Sequence, residues 1–301
     1  KALLGFWRFD EVDGNSATDS FTGHEGVLTN FDGVQWVEGV RGNALSFDGV
    51  NDHVVMPLAA HPNSDDKEIT LAFWSNGGAK LPRNTSVLES RAGNSRALNI
   101  HHPWGNSRIF WDAGGNRIDK PAIVTELKDN WVHWTFTINR TSGIQRVYKD
   151  GSMWHEGTGK TANWGQVSKF ILGADAGPNN YWHGMLDELA IFSRELGASE
   201  IRKLMEGPAS IDTSKPGAYI VNYHAFDNSG NMDKATRTII VEPDPAAPII
   251  TLVGEGFHYH EGGTDFIDPG ATVKDSVGTL LAENLTSQDT FDIKTPGEYL
   301  I

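Results

Sequence analysis

The sequence predicts an all-β protein built as a sandwich of antiparallel sheets. Three observations carry this. Short runs that alternate apolar and polar residues recur along the chain, separated by Gly, Asn and Asp. Tight-turn dipeptides sit between pairs of such runs. One stretch, close to residue 200, has convincing helical spacing, and many strands with one late helix make a sandwich.

The elements follow in order. EITLAFW (68–74) puts Ile69, Leu71 and Phe73 on one face. SRIFWDAGGNRI (107–118) reads as a strand, a Gly-Gly turn and a return strand. WVHWTFTINR (131–140) sets Val132, Trp134, Phe136 and Ile138 on one face and Trp131, His133, Thr135 and Thr137 on the other. RVYKDGSMW (146–154) is a hairpin with Asp-Gly at its turn. LDELAIFSREL (186–196) closes the series. In GASEIRKLM (197–205), Ser199 starts a turn, and Ile201, Leu204 and Met205 share a helical face. In FDGVNDHV (47–54), Gly49 permits a tight turn, and Asp48, Asn51 and Asp52 read as an Asx-stabilised turn, against a sharper reading as a rim site for a sugar or cation. Trp74 and Trp134 are assigned to the core.

Composition bounds the function. A chain of 301 residues, 39% hydrophobic with 10 Trp and 14 Phe, can bury a sizeable core. The net charge of −14 argues against nucleic acid and anionic membranes as partners. The absence of Cys removes disulfide and thiol chemistry. No run of about 18 apolar residues occurs to insert into a membrane. The opening KALLGFW is too short for a signal peptide and reads as the start of a mature segment. The surface chemistry fits an extracellular or cell-surface location.

Two boundaries divide the chain. GPAS (207–210) marks the first, and EPDPAAPI (242–249), with three Pro, is a semi-rigid linker. The expected domains are 1–207, 208–243 and 244–301.

Four stretches, LLGFWRFDE (3–11), VRGNALSFDGVNDHVVMP (40–57), NWVHWTFTINRTSGIQRVYKDGSMW (130–154) and WHGMLDELAIFSRELGASEIRKL (182–204), occur in that order. Together they resemble a laminin-G-like, concanavalin A-like jelly roll over residues 1–206. The resemblance implies two curved antiparallel sheets with neighbouring termini and a role in binding glycans or protein surfaces. It also implies a structural calcium between the first and last strands, for which the matching groups are Asp10, the backbone carbonyls near Gly39, and Asp187. Zinc is not expected, because the pairs His101–His102 and His258/His260 lack the third and fourth ligands at usable spacing.

Beyond the first boundary, IDTSKPGAYIVNYHAFDNSGNMDKATRTIIVEP (211–243) resembles the closing part of a bacterial surface Ig-like repeat. Its signature lies at Tyr223, Ala225, Asp227, Gly230 and Asn231. Residues 248–301, with DPGATVKDSVG (268–278), resemble the opening part of a further repeat. The segments assigned are 209–243 and 248–301. A half sandwich cannot stand alone, so the strand from Gly217 to Asn222 is expected to find its partners outside this chain rather than in residues 248–301.

Sugar recognition needs aromatic rings for the apolar pyranose face and polar tips for the hydroxyls. NIHHPWGNSRIFWDAGGNRID (99–119) is the richest stretch, with His101, His102, Trp104, Asn106, Arg108, Trp111 and Asp112. GPNNYWHG (177–184) adds Asn179, Asn180, Tyr181 and Trp182. The carbohydrate candidates are His102, Trp104, Asn106, Arg108, Trp111, Asp112, Asn180 and Trp182, with Trp104, Trp111 and Trp182 expected as exposed stacking rings; burial would instead mark them as core.

Catalysis is not expected. A retaining glycosidase needs two carboxylates about 5–5.5 Å apart, and the adjacent Asp187 and Glu188 of one strand should point to opposite faces. The reading from sequence is therefore a non-catalytic carbohydrate-binding or adhesion module of an exported modular bacterial protein, with polysaccharide as partner and neighbouring copies or surface proteins as further partners. The alternatives are a structural, fibre-forming protein assembled by Ig-like strand complementation, and an accessory region of a polysaccharide-degrading enzyme.

Overall fold

The computed structural model describes residues 3–207, 215–226, 232–242, 249–253 and 271–274. The chain divides into two compact units, Lys1–Pro208 and Ala209–Ile301. The first opens with β1 (Leu3–Trp7), β2 (Ser16–Thr18), β3 (Glu25–Thr29), β4 (Trp36–Glu38), β5 (Asn43–Asp48) and β6 (His53–Val55). There follow β7 (Glu68–Gly77), β8 (Leu88–Ala92), β9 (Ser95–His101), β10 (Arg108–Ala113) and β11 (Asn116–Pro121). Then come β12 (Trp131–Asn139), β13 (Ile144–Lys149), β14 (Ser152–Gly157), β15 (Lys169–Leu172), β16 (His183–Phe192) and the helix α1 (Ala198–Glu206).

These strands form two eight-stranded antiparallel sheets. One runs β14-β13-β12-β7-β16-β5-β4, with β1 also on β16; the other runs β11-β10-β9-β8-β15-β6-β3-β2. The alternation seen in sequence sets the register. Ile69, Leu71 and Phe73 of β7 stand opposite Ile138, Phe136 and Trp134 of β12, and all six are in the core. The facing sheet contributes Leu88, Leu98, Ile100, Ile109 and Trp111. The rings of Trp111 and Phe136 meet edge to face at 5.9 Å.

The hairpin turns take the conformations their residues allow. Asp150 and Gly151 have φ of +49° and +71°, the two positive values that a tight turn between twisted strands requires. Gly114, between β10 and β11, has φ +58°, and a Cβ there would stand 2.3 Å from the Asn163 carbonyl oxygen, so only glycine fits. The 47–54 loop is the Asx turn. Asp48 Oδ1 accepts from the Val50 amide at 2.7 Å, and Asp52 Oδ2 accepts from the Asp48 amide at 2.9 Å. The helix begins at Ala198, one residue before the Ser199 expected to start the turn. Glu200 Oε2 accepts from the Gly197 amide at 2.9 Å.

Several tryptophans are corrected. Trp111 and Trp182, expected as exposed rings, are both 0% exposed. Each indole N–H is satisfied inside: Trp111 Nε1 donates to the Thr137 carbonyl at 3.0 Å, and Trp182 Nε1 to the His102 carbonyl at 2.8 Å. A polar loop does not expose a ring whose N–H has a buried acceptor. His102 is likewise a core residue, against Trp134 and Ser75 Oγ. Trp74 reverses the other way. It sits on the face of β7 opposite Phe73, half-buried beside His133.

In the second unit, β17 (Gly217–Phe226) pairs antiparallel with β18 (Met232–Val241), and β19 (Ile249–Leu252) with β20 (Ala271–Lys274). Among the described residues, Gly217–Asn222 takes no ladder partner from 248–301. The DNSGN turn (227–231) and most of the DPGATVKDSVG motif lie outside the described residues.

Two outcomes follow. Replacing Trp111 by Ala should cost about 3–5 kcal/mol in denaturant unfolding, as a core cavity does; a cost below about 1 kcal/mol would mean the ring is not core. Burial also holds three imidazoles neutral, His102 at a pKa of about 3 and His61 and His133 at about 4. Their folded values lie below the unfolded one, so the stability they carry is present above pH 6.5 and lost as pH falls through 4. Unfolding free energy should drop by up to about 1.4 kcal/mol per pH unit for each imidazole in that window; a flat profile between pH 6.5 and 4 would contradict it.

Candidate functional site

A two-sheet sandwich has two outer faces, and among the described residues helix α1 covers one of them. Helix α1 and the segment before it lie over the outer face of the β12-containing sheet. There Ile201 and Leu196 pack on Tyr148, with Phe192 and Leu204 at the edge. Thr70 Oγ1 donates to the Arg194 carbonyl at 2.7 Å and accepts from the Leu196 amide at 3.0 Å. On that face His133, Thr135 and Thr137 are accordingly buried, although sequence alternation alone would leave them wet.

The outer face of the other sheet presents one row across seven strands. Register places Val27, Val55, Ile171, Glu89, Asn99, Asp112 and Arg117 side by side. Six inter-strand steps make this row about 29 Å long. One end is apolar and open, with Val27 53% and Val55 45% exposed. The other end is an ion-pair chain. Glu89 Oε1 accepts from Arg91 Nε at 2.6 Å, and Glu89 Oε2 from Asn99 Nδ2 at 2.7 Å, with Arg96 Nη2 at 3.2 Å. Asp112 takes Arg117 on both oxygens, at 2.5 and 2.6 Å, and Arg96 Nη1 at 3.1 Å. All four carboxylate oxygens are thus engaged. Asn99 Oδ1, fully buried beside them, has no hydrogen-bond partner.

An aromatic ledge borders the charged half. His101 stands opposite Phe110 across β9 and β10, their rings 5.7 Å apart. The half-buried Trp104 lies over His101 at 4.2 Å. The Arg117 guanidinium covers Phe110 at 5.0 Å. Burial pushes the His101 pKa down.

Of the eight residues singled out from sequence, five reach this face or its rim. Trp104 and Asp112 are part of it. Arg108 pairs with Asp119, Asn106 Oδ1 accepts from the Arg108 amide at 3.2 Å, and Asn180 Nδ2 donates to Asp175 Oδ2 at 2.8 Å. His102, Trp111 and Trp182 do not, because they fill the core. Sequence reading missed Glu89, Arg91, Arg96, Asn99, Phe110 and Arg117. The signal for some was present: in ALNIH and RIFWD the apolar residues alternate with Asn99, His101, Phe110 and Asp112.

A second polar cluster surrounds the turn between β4 and β5. Asp10, Gly39 and Asp187 meet there. Asp187 Oδ2 accepts from the amides of Val40 and Arg41 at 2.8 and 3.1 Å, and Asp10 Oδ1 from the Asn43 amide at 3.1 Å. A Cβ on Gly39 would lie 2.6 Å from Asp187 Oδ2. The expectation that Asp187 and Glu188 point to opposite faces is corrected: a bulge with Glu188 at φ +53° lets Glu188 reach Arg41 Nη1 at 3.3 Å, beside Asp187. Both carboxylates are buried, and desolvation lifts Asp187 to about 7 and raises Glu188. Asp187 Oδ1 is buried without a hydrogen-bond partner. Among the described residues no three His, Asp or Glu side chains gather. Asp187, with its unpartnered oxygen, and Asp10, whose Oδ2 pairs with Arg8 Nε at 3.2 Å, flank this turn and are the side chains that would hold a hard cation, with backbone oxygens completing its shell.

A family profile described as the concanavalin A-like lectin/glucanases superfamily matches residues 48–202, and one described as bacterial surface protein, Ig-like domain, matches residues 199–241. No curated protein matches. Among solved structures, domain 4 of an extracellular arabinanase from Geobacillus stearothermophilus, solved with arabinotriose, is similar at 19% identity and a TM-score of 0.51, covering 68% of this chain and 98% of that one. Trypanosoma rangeli sialidase in complex with sialic acid is similar at 18% and 0.50, over 67% of this chain and 32% of its own. The binding domain of botulinum neurotoxin DC, solved with rat synaptotagmin II, is similar at 14% and 0.52, over 91% and 71%. At these identities the likeness is one of fold. Among the described residues no helix is long and apolar enough to cross a membrane.

Proposed function

The chain belongs to the concanavalin A-like lectin/glucanases superfamily, and we propose that its jelly roll is a non-catalytic carbohydrate-binding module of an exported, modular bacterial surface protein. The observation that carries this is the outer face of β8–β11, where the half-buried rings of Trp104 and Phe110 flank the buried His101 and adjoin the half-exposed arginines Arg91, Arg96 and Arg117. Rings stack on the apolar side of a pyranose while amide, carboxylate and guanidinium groups reach hydroxyls. The arabinotriose bound by the arabinanase domain supports a glycan as the ligand class. A binding role rather than catalysis is supported by the carboxylates of this face. Each oxygen of Glu89 and Asp112 is already held by guanidinium or amide donors, and Asp119 is paired with Arg108, which suits fixed recognition groups better than a free acid and base.

The test is a glycan array with the full chain. Carbohydrate binding is expected, and Trp104→Ala should weaken it by about 1–3 kcal/mol with little change in melting temperature, since the ring is half-exposed. An array with no glycan bound, or a Trp104→Ala variant that unfolds, would overturn the reading.

The same reading includes a structural calcium at the β4–β5 turn, held by Asp10, Asp187 and backbone oxygens near Gly39. Its support is the buried, unpartnered Asp187 Oδ1. Calcium should raise the melting temperature and a chelator lower it; superimposable melting curves would remove calcium from the proposal.

A further inference from the structure

We propose that the outer face of β8–β11 recognises the carboxylates of an acidic polysaccharide, a chain bearing hexuronate residues. This rests on the carbohydrate-binding reading and narrows it. Beside the row already described, register places Lys169, Arg91 and Arg96 directly opposite one another on β15, β8 and β9. Like charges opposite each other across strands oppose folding, and two such pairs adjoin here. With Arg117 and Arg108 the face carries five cations over the three carboxylates Glu89, Asp112 and Asp119, in a chain whose net charge is −14.

The vertical order of the charges points outward. Glu89 and Asp112 form the floor, with side chains 0% and 5% exposed, while those of Arg91, Arg96 and Arg117 are 33%, 36% and 47% exposed above them. Arg91 commits only Nε, to Glu89. Among the described residues neither of its Nη groups has a hydrogen-bond partner, so the fork that matches a planar carboxylate stays free. The nearby Asp175 is spent on its own loop, accepting from the amides of Gly177 and Asn179 and from Asn180 Nδ2. A hexuronate offers both complements: a carboxylate for the half-exposed guanidinium groups and an apolar ring face for Trp104. The four inter-strand steps from Lys169 on β15 to Arg117 on β11 span about 19 Å, which suits several linked sugars rather than one.

The experiment titrates the full chain with oligogalacturonate, its fully methyl-esterified form, a neutral hexose oligomer and a sulfated oligosaccharide, at low and high salt. The free acid should bind at least about tenfold tighter than the ester, and salt should weaken it. Lys169→Gln, at an exposed position, should lower free-acid affinity several-fold without changing the melting temperature, and Arg91→Gln about tenfold. Equal binding of acid and ester, preference for the neutral oligomer, or binding of the sulfated chain alone would overturn the carboxylate inference and leave the carbohydrate reading standing. Unchanged free-acid affinity in Lys169→Gln would place the ligand elsewhere and also overturn it. Should no carbohydrate bind at all, both readings fall together.

Discussion

The indole of Trp111 donates its N–H across the sandwich to the Thr137 carbonyl, and much of the fold is arranged around that bond. A buried indole must find an acceptor, and this one lies on β12 of the facing sheet. The bond and the edge-to-face contact with Phe136 set how the sheets meet. Gln145 Nε2 ties the same place further by donating to the Trp111 carbonyl at 2.9 Å. Because side chains alternate along a strand, Trp111 pointing inward sends Phe110 and Asp112 outward. The core contact thereby decides which residues of β10 can meet a ligand, and register carries the decision to Asn99 and His101 on β9 and to Glu89 on β8.

The two outer faces share this inheritance but differ in fate. On the β12 side, α1 and its preceding segment bury a row of threonines and a histidine, leaving the hydroxyls of Thr135 and Thr137 without hydrogen-bond partners. On the β9 side the outward carboxylates and Asn99 lie buried beneath half-exposed guanidinium groups, to which ion pairs tie them. Their consequence is positional: Arg96 bridges Glu89 and Asp112 and links the ion pairs of β8 to those of β10 and β11. The Asp187 cluster is of another type, buried and raised in pKa by desolvation, and it fastens the β4–β5 turn to β16 rather than facing solvent.

Local signals read well wherever one residue's chemistry decides the outcome. The Asp150-Gly151 hairpin, the Gly114-Gly115 turn and the alternation of 69–73 and 132–138 all stand in the structure as sequence places them. The site read less well. Trp182 looked exposed because Asn179, Asn180 and Gly184 surround it, yet its acceptor is a carbonyl 80 residues away in sequence. Asp187 and Glu188 looked divergent because a regular strand alternates, and a bulge broke the alternation. Glu89, Arg91 and Arg117 lie on three strands, and only pairing brings them to one face.

The sequence by itself determined the fold class, the strand runs, the tight turns and the family resemblance later matched over 48–202 and 199–241. These depend on period, turn dihedrals and motif order, which are properties of neighbouring residues. Tertiary structure alone decided which tryptophans are core, which outer face α1 covers, and which charges adjoin across β15, β8, β9, β10 and β11. Those outcomes depend on hydrogen bonds and register between residues far apart in the chain. Local alternation says that a strand has two faces, but the partner strands decide which face stays open.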